Sequence, residues 1–215
     1  MAERDGRKLV NVRLLLIRHG ETDHNSENRL SGWTDSTLSL KGIEQAKHLQ
    51  QRLRNIPVDC VVTSGMIRAE QTAELVFPDI YQTGLVRTIS SLKEMNFGKM
   101  ENMTMESVRL AFPEAYHLMM QKRGLYSFPE GESLYTFHQR VVTGAKHLRE
   151  EVSGELVAVV VHSGTIRCLL AEWIAGDWRA HWRFQINHCS VSLVEFKESF
   201  PVLKFCNNTS HLSVE

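Results

Sequence analysis

The sequence has no apolar run long enough to cross a membrane, which takes roughly 20 consecutive apolar residues. Its N-terminal segment carries charges ahead of a short apolar stretch and lacks the small-residue cleavage pattern of a secretory signal. It also has no excess of either charge, because 25 Lys and Arg balance 25 Asp and Glu. No overall field then favours nucleic acid or an anionic membrane. We expect a cytoplasmic protein that binds neither, and whose affinity for anions comes from a local cluster.

Cysteine is scarce, and no two cysteines form a Cys-x-x-Cys pair. This spacing predicts neither a zinc site nor a redox motif, so we expect reduced, buried thiols. Cys189 and Cys206 could still be neighbours on adjacent C-terminal strands. Three histidines, His24, His181 and His188, lack the i, i+4 spacing of a helical metal pair, and we interpret them as surface or packing residues. No metal or other cofactor is expected.

The sequence does contain the alternating pattern of an α/β protein. Residues 12–17 and 156–161 are apolar runs without polar alternation, which is typical of strands buried on both faces of a parallel sheet. Between them, LKGIEQAKHLQQRL has apolar residues at helical spacing, VDCVVTS predicts a short strand, and GMIRAEQTAELVF predicts a second helix. Strand, helix, strand and helix in succession indicate an α/β layer structure.

The middle and the end of the chain follow other patterns. Helical patterns cover 104–120 and 133–152, on either side of the loop GLYSFPEGES. The last strand-like runs, SVSLVEF and PVLKF, predict a hairpin-like edge. With 215 residues and no repeat or linker, the chain is predicted to form one domain over 1–215. The predicted fold is a three-layer α/β/α sandwich with a mostly parallel central sheet and a helical insertion at about 95–152.

Side chains suited to anion chemistry lie at or near the ends of these segments. Arg18 and His19 end the first strand, and Arg68 lies in the first turns of the helix that follows the second. Glu94 lies in LKEMNFG, and His162 ends the strand of VVVHSGTIR. In an open α/β sheet, ligands collect beyond the carboxyl ends of the strands. We therefore expect two arginines, two histidines and one carboxylate to meet at one rim.

That set of side chains fits a phosphate monoester. Guanidinium groups such as those of Arg18 and Arg68 bind phosphate bidentately and stay charged. His162 can add a further donor. Ser163 and Gly164 can add backbone N–H groups at the start of the following helix, where the dipole favours an anion.

His19 is the candidate nucleophile. An unprotonated ring nitrogen attacks phosphorus, and water then hydrolyses the phosphohistidine without a metal. The other ring nitrogen must donate, so we predict a backbone carbonyl acceptor near the turn at Gly20, where a Cβ would clash. Glu94 is the best candidate to protonate the leaving oxygen and then to activate water. The nearby carboxylates that could compete for this role are Glu101, Glu130 and Glu132.

Six blocks of the sequence carry a family resemblance: RHGETDHN, SGWTDSTLSLKG, TSGMIRAEQTA, LKEMNFGKME, FPEGES and VVVHSGTIR. In this order and approximate spacing they resemble the histidine phosphatase superfamily, in its phosphoglycerate mutase-like branch, over residues 12–196. The resemblance implies a phosphorylated nucleophile at His19, a phosphate pocket of Arg18, Arg68 and His162, and a proton donor at Glu94. It also implies substrate contacts at Asn25, Ser31 and Gly32.

Within this family, the short insertion and the block EMNFGKME favour hydrolysis over mutase activity. The layout is similar to phosphatases of α-ribazole 5′-phosphate, phosphoserine and sugar phosphates, so a small phosphorylated metabolite is the expected substrate. Met100 and Asn102 stand where Trp and Gly are common in the family, on the side of the leaving group. Lys122 and Arg123 could meet a second anionic group. The alternatives are a phosphoglycerate mutase and a non-catalytic phospholigand-binding module, and the oligomeric state stays open.

Overall fold

The computed structural model describes residues 12–122, 124–151, 154–198 and 200–212. Two positions expected near a second anionic group fall at a gap, because Arg123 and the side chain of Lys122 lie outside the described residues. Val152, at the predicted end of a helix, also lies outside them.

Six strands form one sheet. They are β1 (Val12–Arg18), β2 (Cys60–Thr63), β3 (Val86–Thr88), β4 (Leu156–Val161), β5 (Val191–Lys197) and β6 (Phe200–Asn208). Their order across the sheet is β3-β2-β4-β1-β5-β6. The pairs β2/β3, β2/β4 and β1/β4 are parallel, whereas β5 pairs antiparallel with β1 and β6 antiparallel with β5. The mostly parallel sheet and its hairpin edge are therefore confirmed.

Eight α-helices accompany the strands in the described residues. They are α1 (Asp23–Ser26), α2 (Leu40–Leu53), α3 (Ile67–Val76), α4 (Pro78–Thr83), α5 (Met105–Ala111), α6 (Pro113–Lys122), α7 (Leu134–Glu151) and α8 (Ser163–Leu170). Helix α2 coincides with the predicted helical stretch. The Ser39 side chain caps it by accepting from the Gly42 amide at 3.1 Å, which satisfies one of the free N–H groups of the first turn.

Two hydrophobic cores lie on opposite faces of the sheet. Successive residues of a strand point to opposite faces, so alternate residues of β1 enter different cores. The first core contains Leu14 and Leu16 with Phe137 of α7 and Ile166 of α8, and the second contains Leu15 and Ile17 with Leu49 of α2 and Ala73 of α3. Helices cover both faces, and the predicted three-layer α/β/α fold is confirmed.

The middle of the chain differs from its prediction in one respect. The pattern over 104–120 predicted a single helix, but α5 ends before Phe112 and α6 begins at Pro113. Proline has no N–H to donate within a helix and its ring clashes with the preceding turn. The break is therefore a local effect of Pro113.

One part of the helical insertion packs in the sheet layers, and another part stands apart from them. Helix α7 packs in the first core through Phe137, Val141 and Leu148. The segment before it, 95–133, forms a small core of its own around Met100, Val108 and Phe128. The part of the insertion that lies outside the three layers is thus shorter than the segment predicted from the sequence.

The thiols are buried in three of the four cases, as expected. Cys60, Cys168 and Cys189 are buried, Cys206 is partly buried, and all four are free. Cys206 lies on β6, where Ser192 Oγ donates to its Sγ at 3.8 Å. None of the helices in the described part of the chain is long and apolar enough to cross a bilayer.

Candidate active site

Three parallel strands end at the same level of the sheet. In the register, Arg18 of β1 pairs with Val161 of β4, and Thr63 of β2 pairs with Val160. The residues that follow, His19, His162 and Ser64, are therefore neighbours at one rim. His19 extends the ladder by donating its backbone N–H to the Val161 carbonyl at 3.0 Å. Ser64 Oγ lies 2.8 Å from His162 Nε2.

His19 is held with one ring nitrogen available. The side chain is 4% exposed, and its Nδ1 lies 2.7 Å from the Gly20 carbonyl oxygen. A carbonyl oxygen accepts, so Nδ1 carries the proton and Nε2 keeps its lone pair. Burial, followed by the positive charge of Arg68 and the electrostatic effects of His162 and Arg18, holds the pKa of His19 well below its usual value. The predicted carbonyl acceptor is confirmed, and the ring is neutral at pH 7.

The turn after His19 requires a glycine because of a close approach. A Cβ on Gly20 would lie 2.6 Å from the Gly42 carbonyl oxygen, at the start of α2. The Gly20 amide also donates to Thr72 Oγ1 at 3.0 Å, and Thr72 donates in turn to the Arg68 carbonyl. The turn after His19 is thus joined to the first turns of α3, where Arg68 lies.

Arg68 is completely buried, with 0% exposure. Its guanidinium donates to the carbonyl oxygens of Gly32 at 2.7 Å, Thr34 at 3.2 Å and Ser31 at 3.3 Å. Ser31 and Gly32, predicted as substrate contacts, therefore lie beside Arg68, and their carbonyls orient its guanidinium. Asp35 is the nearest carboxylate, 3.8 Å from the guanidinium. Glu70, two residues after Arg68 on the same helix, accepts from Thr63 and Tyr81.

Arg18 is anchored from the other side of the rim. Its Nη1 donates to the Ile186 carbonyl at 2.8 Å, and its Nη2 lies 2.6 Å from His188 Nε2. Burial lowers the pKa of Arg18 to about 10, against the opposing effect of the Glu94 carboxylate. The group is therefore charged at neutral pH. Since a guanidinium only donates, His188 Nε2 must accept.

His162 is buried, with 0% exposure, and its ring centroid lies 5.2 Å from that of His19 in an edge-to-face arrangement. Burial, followed by the charges of Arg68 and Arg18, holds its pKa well below the usual value. We assign the Ser64 hydroxyl as the donor to His162 Nε2, a tautomer that puts the ring proton on Nδ1.

Three buried side-chain nitrogens around His19 have no hydrogen-bond partner among the described residues. They are Arg18 Nε, Arg68 Nε and His162 Nδ1. A buried donor without an acceptor destabilises a protein by about 1–3 kcal/mol, and native structures contain few of them. Three such donors beside one imidazole are suited to the oxygens of a bound oxyanion, because such oxygens accept strongly from positive or polarised N–H groups.

Glu94 reaches the same rim from the segment after β3. Its Oε1 accepts from the Met95 amide at 2.8 Å and its Oε2 from the Gly164 amide at 2.9 Å. The carboxylate raises the pKa of both Arg18 and Arg68 against the effect of burial, so it lies within electrostatic range of both. The amide of Gly164, expected to serve the phosphate, is instead used by Glu94. Ser163 begins α8 beside it.

The carboxylates that could compete with Glu94 have structural partners. Glu101 accepts from the amides of Gly32, Trp33, Thr34 and Phe97, and so ties the start of the insertion to the loop that holds Arg68. Glu130 pairs with Lys99 at 2.7 Å. Glu132 receives two hydrogen bonds from Arg140, each of 2.7 Å. Glu94 is the one of the four whose carboxylate accepts from the first turn of α8.

Arg140 is a residue that sequence reasoning missed. From α7 it donates to the carbonyls of Ser91 at 2.9 Å, Lys93 at 3.0 Å and Glu94 at 3.0 Å, as well as to the Glu132 carboxylate. It therefore fixes the backbone that carries Glu94. A signal existed, because Arg140 interrupts the apolar stripe of α7 between Phe137 and Val141.

His188 is the second residue that was missed, since it was interpreted as a surface or packing residue. Its ring lies 5.9 Å from that of His19, and its Nε2 is 3.0 Å from Asn25 Oδ1. Burial, followed by the charges of Arg18 and Lys41, lowers the pKa of His188 to about 3. Asn25, predicted as a substrate contact, accepts from the Thr22 amide and forms a capping box with Thr22 at the start of α1.

A cavity of about 610 Å³ opens beside Glu94 and the start of α8. Its remaining wall comes mostly from 95–133, the segment that stands apart from the sheet layers. Arg18, His19, Arg68 and His162 are not among its lining residues. No group of three or more His, Cys, Asp or Glu residues in the described ranges is arranged to hold a metal ion.

Comparison with known proteins gives consistent matches along nearly the whole chain. The family model of the histidine phosphatase superfamily (branch 1) matches residues 14–209. A relative from Yersinia pestis (strain Pestoides F), named "Probable phosphoglycerate mutase GpmB", is 30% identical over 209 residues, which are 94% of this chain and 96% of the relative.

Two solved structures resemble the fold closely. The crystal structure of an α-ribazole phosphatase from Shigella flexneri has a TM-score of 0.87 and 31% identity, and the match covers 95% of this chain and 100% of that one. A mutant phosphoserine phosphatase from Entamoeba histolytica, in complex with phosphoserine, has a TM-score of 0.80 and 26% identity, with 94% and 100% covered.

Proposed function

The chain belongs to the histidine phosphatase superfamily (branch 1), and we propose that it is a metal-independent phosphomonoesterase that works through a phosphohistidine at His19. The family resemblance drawn from the sequence motifs is confirmed, and the chain is an enzyme of the phosphatase or mutase type. The proposal concerns the finer points: hydrolysis as the reaction, a small phosphorylated metabolite as the substrate, and the roles of individual residues.

The observation that carries the proposal is the set of three unpartnered donors around a neutral imidazole. In the first step, His19 Nε2 forms a bond to phosphorus while the bond from phosphorus to the ester oxygen breaks. Arg18, Arg68 and His162 donate to the non-bridging oxygens, where the transferring group carries its negative charge. Glu94 gives its proton to the leaving oxygen, so that a neutral alcohol departs.

The second step reverses the proton transfer. Glu94, now a carboxylate, takes a proton from a water molecule as the water oxygen attacks phosphorus. The bond between phosphorus and Nε2 breaks, and the ring recovers its lone pair. Inorganic phosphate leaves, and the proton held by Glu94 restores the starting state. The Nδ1 proton stays on its hydrogen bond to the Gly20 carbonyl throughout, which supports attack by Nε2 in each cycle.

The intermediate can be tested directly. Rapid mixing with a phosphomonoester labelled in the phosphate should transfer label to the protein as an acid-labile, alkali-stable adduct, and turnover should persist with a chelator present. His19→Ala should remove both the adduct and the turnover. His147→Ala, at an exposed position on α7, is the matched control and should keep both. Full turnover by His19→Ala would refute the proposal.

The mutase alternative has specific support in the name of the Yersinia pestis relative. The short insertion and the resemblance of the block EMNFGKME to phosphatases favour hydrolysis. The distinguishing measurement is the fate of the phosphoryl group of 3-phosphoglycerate. A hydrolase releases inorganic phosphate, whereas a mutase moves the group between positions of the glycerate.

The Glu94→Gln variant distinguishes an enzyme from a non-catalytic binding module. This change keeps the size of the side chain and removes its acid–base chemistry. Hydrolysis should fall by about 10²–10⁴-fold, which is the usual contribution of general acid catalysis, while inhibition by inorganic phosphate stays close to that of the parent protein. A chain that only binds phospholigands shows no catalytic loss.

A further inference from the structure

The cavity beside Glu94 has the dimensions of a binding site for a molecule much larger than a phosphate. Its volume of about 610 Å³ falls within the range of small-molecule sites. At the density of liquid water it would hold about 20 water molecules. One end is formed by Glu94, Ser163 and Gly164, and Glu94 is the proposed proton donor to the leaving oxygen. The cavity therefore begins where the ester oxygen departs.

The wall of this cavity is apolar over most of its area. The side chains that give it this character are Met95, Phe97, Met119, Met120, Phe128 and Phe137. Methionine is flexible and polarisable, so it adapts to apolar groups of different shape. Met120 is 48% exposed in the structure, and an apolar ligand in the cavity would cover that surface. This apolar part of the wall offers little to the hydroxyl, amine and carboxylate groups of a short polar alcohol, although Tyr126 in the same wall has a buried hydroxyl without a partner among the described residues.

Two polar side chains of the cavity wall, Arg167 and His181, are engaged with neighbouring groups. Arg167 donates Nε to the Phe184 carbonyl at 2.9 Å, and its guanidinium lies 5.8 Å from the centre of the Trp182 ring. His181 is buried, and its Nδ1 lies 3.6 Å from Cys168 Sγ. Burial lowers the pKa of His181 to about 3, so the ring is neutral. Among the described residues, Arg167 is thus the one cation of the cavity wall, and it competes with the apolar surface in setting the preferred substrate.

We propose that the substrate is a phosphomonoester of a large, predominantly apolar alcohol, with a leaving group at least as large as a six-carbon chain or an aromatic ring. This inference rests on the proposed phosphomonoesterase function and names the class of substrate for the same site. A glycerate or a serine occupies a small fraction of the cavity and leaves its methionine and phenylalanine wall in water, where no apolar burial contributes to transition-state binding.

The test is a series of n-alkyl phosphates from ethyl to octyl, measured as kcat/KM for phosphate release. These esters share one leaving-group chemistry and differ only in apolar length. Complete burial of a methylene corresponds to roughly a fourfold gain, and we expect about two- to fourfold per methylene up to hexyl. Hexyl phosphate should also exceed 3-phosphoglycerate and phosphoserine at equal concentration.

The outcomes separate this inference from the proposed function. If no ester releases phosphate and no phosphoenzyme forms, the proposed function fails. If the esters are hydrolysed but kcat/KM is flat across the alkyl series, the apolar leaving-group site is wrong while the proposed function stands. A preference for 3-phosphoglycerate over hexyl phosphate would assign the cavity to an anionic substrate through Arg167, and would likewise overturn the inference.

A pair of variants on helix α6 tests whether the preference for long alkyl chains arises in the cavity. Met120→Gln keeps the length of the side chain but makes a lining position polar. Leu118→Gln makes the same kind of change at a position that is 39% exposed and outside the cavity wall. The loss caused by Met120→Gln should grow with chain length, whereas Leu118→Gln should keep the parent slope. Equal slopes in the two variants would contradict the inference.

Discussion

A substitution at Gly164 tests how Glu94, the proposed general acid, is positioned. A Cβ at this residue would lie 2.2 Å from Glu94 Oε1 and 3.1 Å from Cε1 of Phe137, whereas ordinary contacts begin at 3.4 Å. The carboxylate of a Gly164→Ala variant must therefore retreat by about 1 Å, and a misplacement of about that size can lower a rate about 10²-fold. We expect kcat for hexyl phosphate to fall about 10²-fold, close to the lower bound for complete loss of general acid catalysis.

The assay compares two leaving groups and one inhibitor. A p-nitrophenolate leaves without needing a proton, so the loss of kcat with p-nitrophenyl phosphate should be much smaller than with hexyl phosphate. Inhibition by inorganic phosphate should be unchanged, because the donors of Arg18, Arg68 and His162 do not depend on Glu94. A weakened phosphate affinity would instead assign the Gly164 amide to the phosphate.

A double variant decides whether Gly164 acts through Glu94. If it does, adding Gly164→Ala to Glu94→Gln should cause little further loss, since residues that act as a unit are not additive. Additive losses, or equal losses with both esters, would refute the reasoning. Gly84→Ala is the control for replacing a glycine. Its φ is +72° and its Cβ would meet no atom within 4 Å, so it should lower stability by about 1 kcal/mol without changing the ratio of the two activities.

Three further predictions follow from the same contacts. Arg140→Met should lower kcat by roughly 10- to 100-fold, because the backbone carrying Glu94 loses its anchor, while phosphate inhibition is unchanged; equal losses for alkyl and aryl esters would contradict this. Arg68→Lys keeps the charge but loses the unpartnered Nε donor and the planar fork that the neighbouring carbonyls orient, so inhibition by phosphate should weaken at least about tenfold; an unchanged inhibition constant would refute a role of Arg68 in phosphate binding. The pKa values of four buried histidines are lowered, so below about pH 6.5 the unfolded chain binds protons that the folded chain does not. The free energy of unfolding should therefore fall with decreasing pH, with a slope that approaches about 5 kcal/mol per pH unit. Urea unfolding at pH 7.5, 6.5 and 5.5 measures this slope, and a flat profile would contradict the prediction. The four are His19, His162, His181 and His188.

Much of the fold could be predicted because its signals are local. The two central strands are continuous apolar runs, and helix α2 has both its periodicity and its cap, Ser39, within one stretch. The short strand β3 and helix α4 went unpredicted, since three to six residues carry too little periodicity. The break at Pro113 could have been read from the sequence, because proline inside a helical pattern ends the helix before it.

The candidate site could be predicted where it depends on strand ends and not where it depends on tertiary contacts. Arg18, His19 and His162 follow from the rule that parallel strands present their carboxyl ends together. His188 reaches the same rim because the start of antiparallel β5 lies beside the end of β1, where Ile17 pairs with Val191. That register is a property of the folded sheet, as are the hydrogen bonds of Arg140 to the backbone of 91–94.

Arg140 connects two parts of the enzyme that could change independently of each other during evolution. The groups that would handle phosphorus stand on strand ends and on the start of α3, while the alcohol would be received by walls drawn mostly from 95–133. Arg140 and Glu132 fasten that segment to the backbone of Glu94 by a few hydrogen bonds. Substitutions confined to 95–133 could therefore change which substrate is accepted without changing the surroundings of His19. The hydrogen bonds of Arg140 and Glu132 would have to be kept.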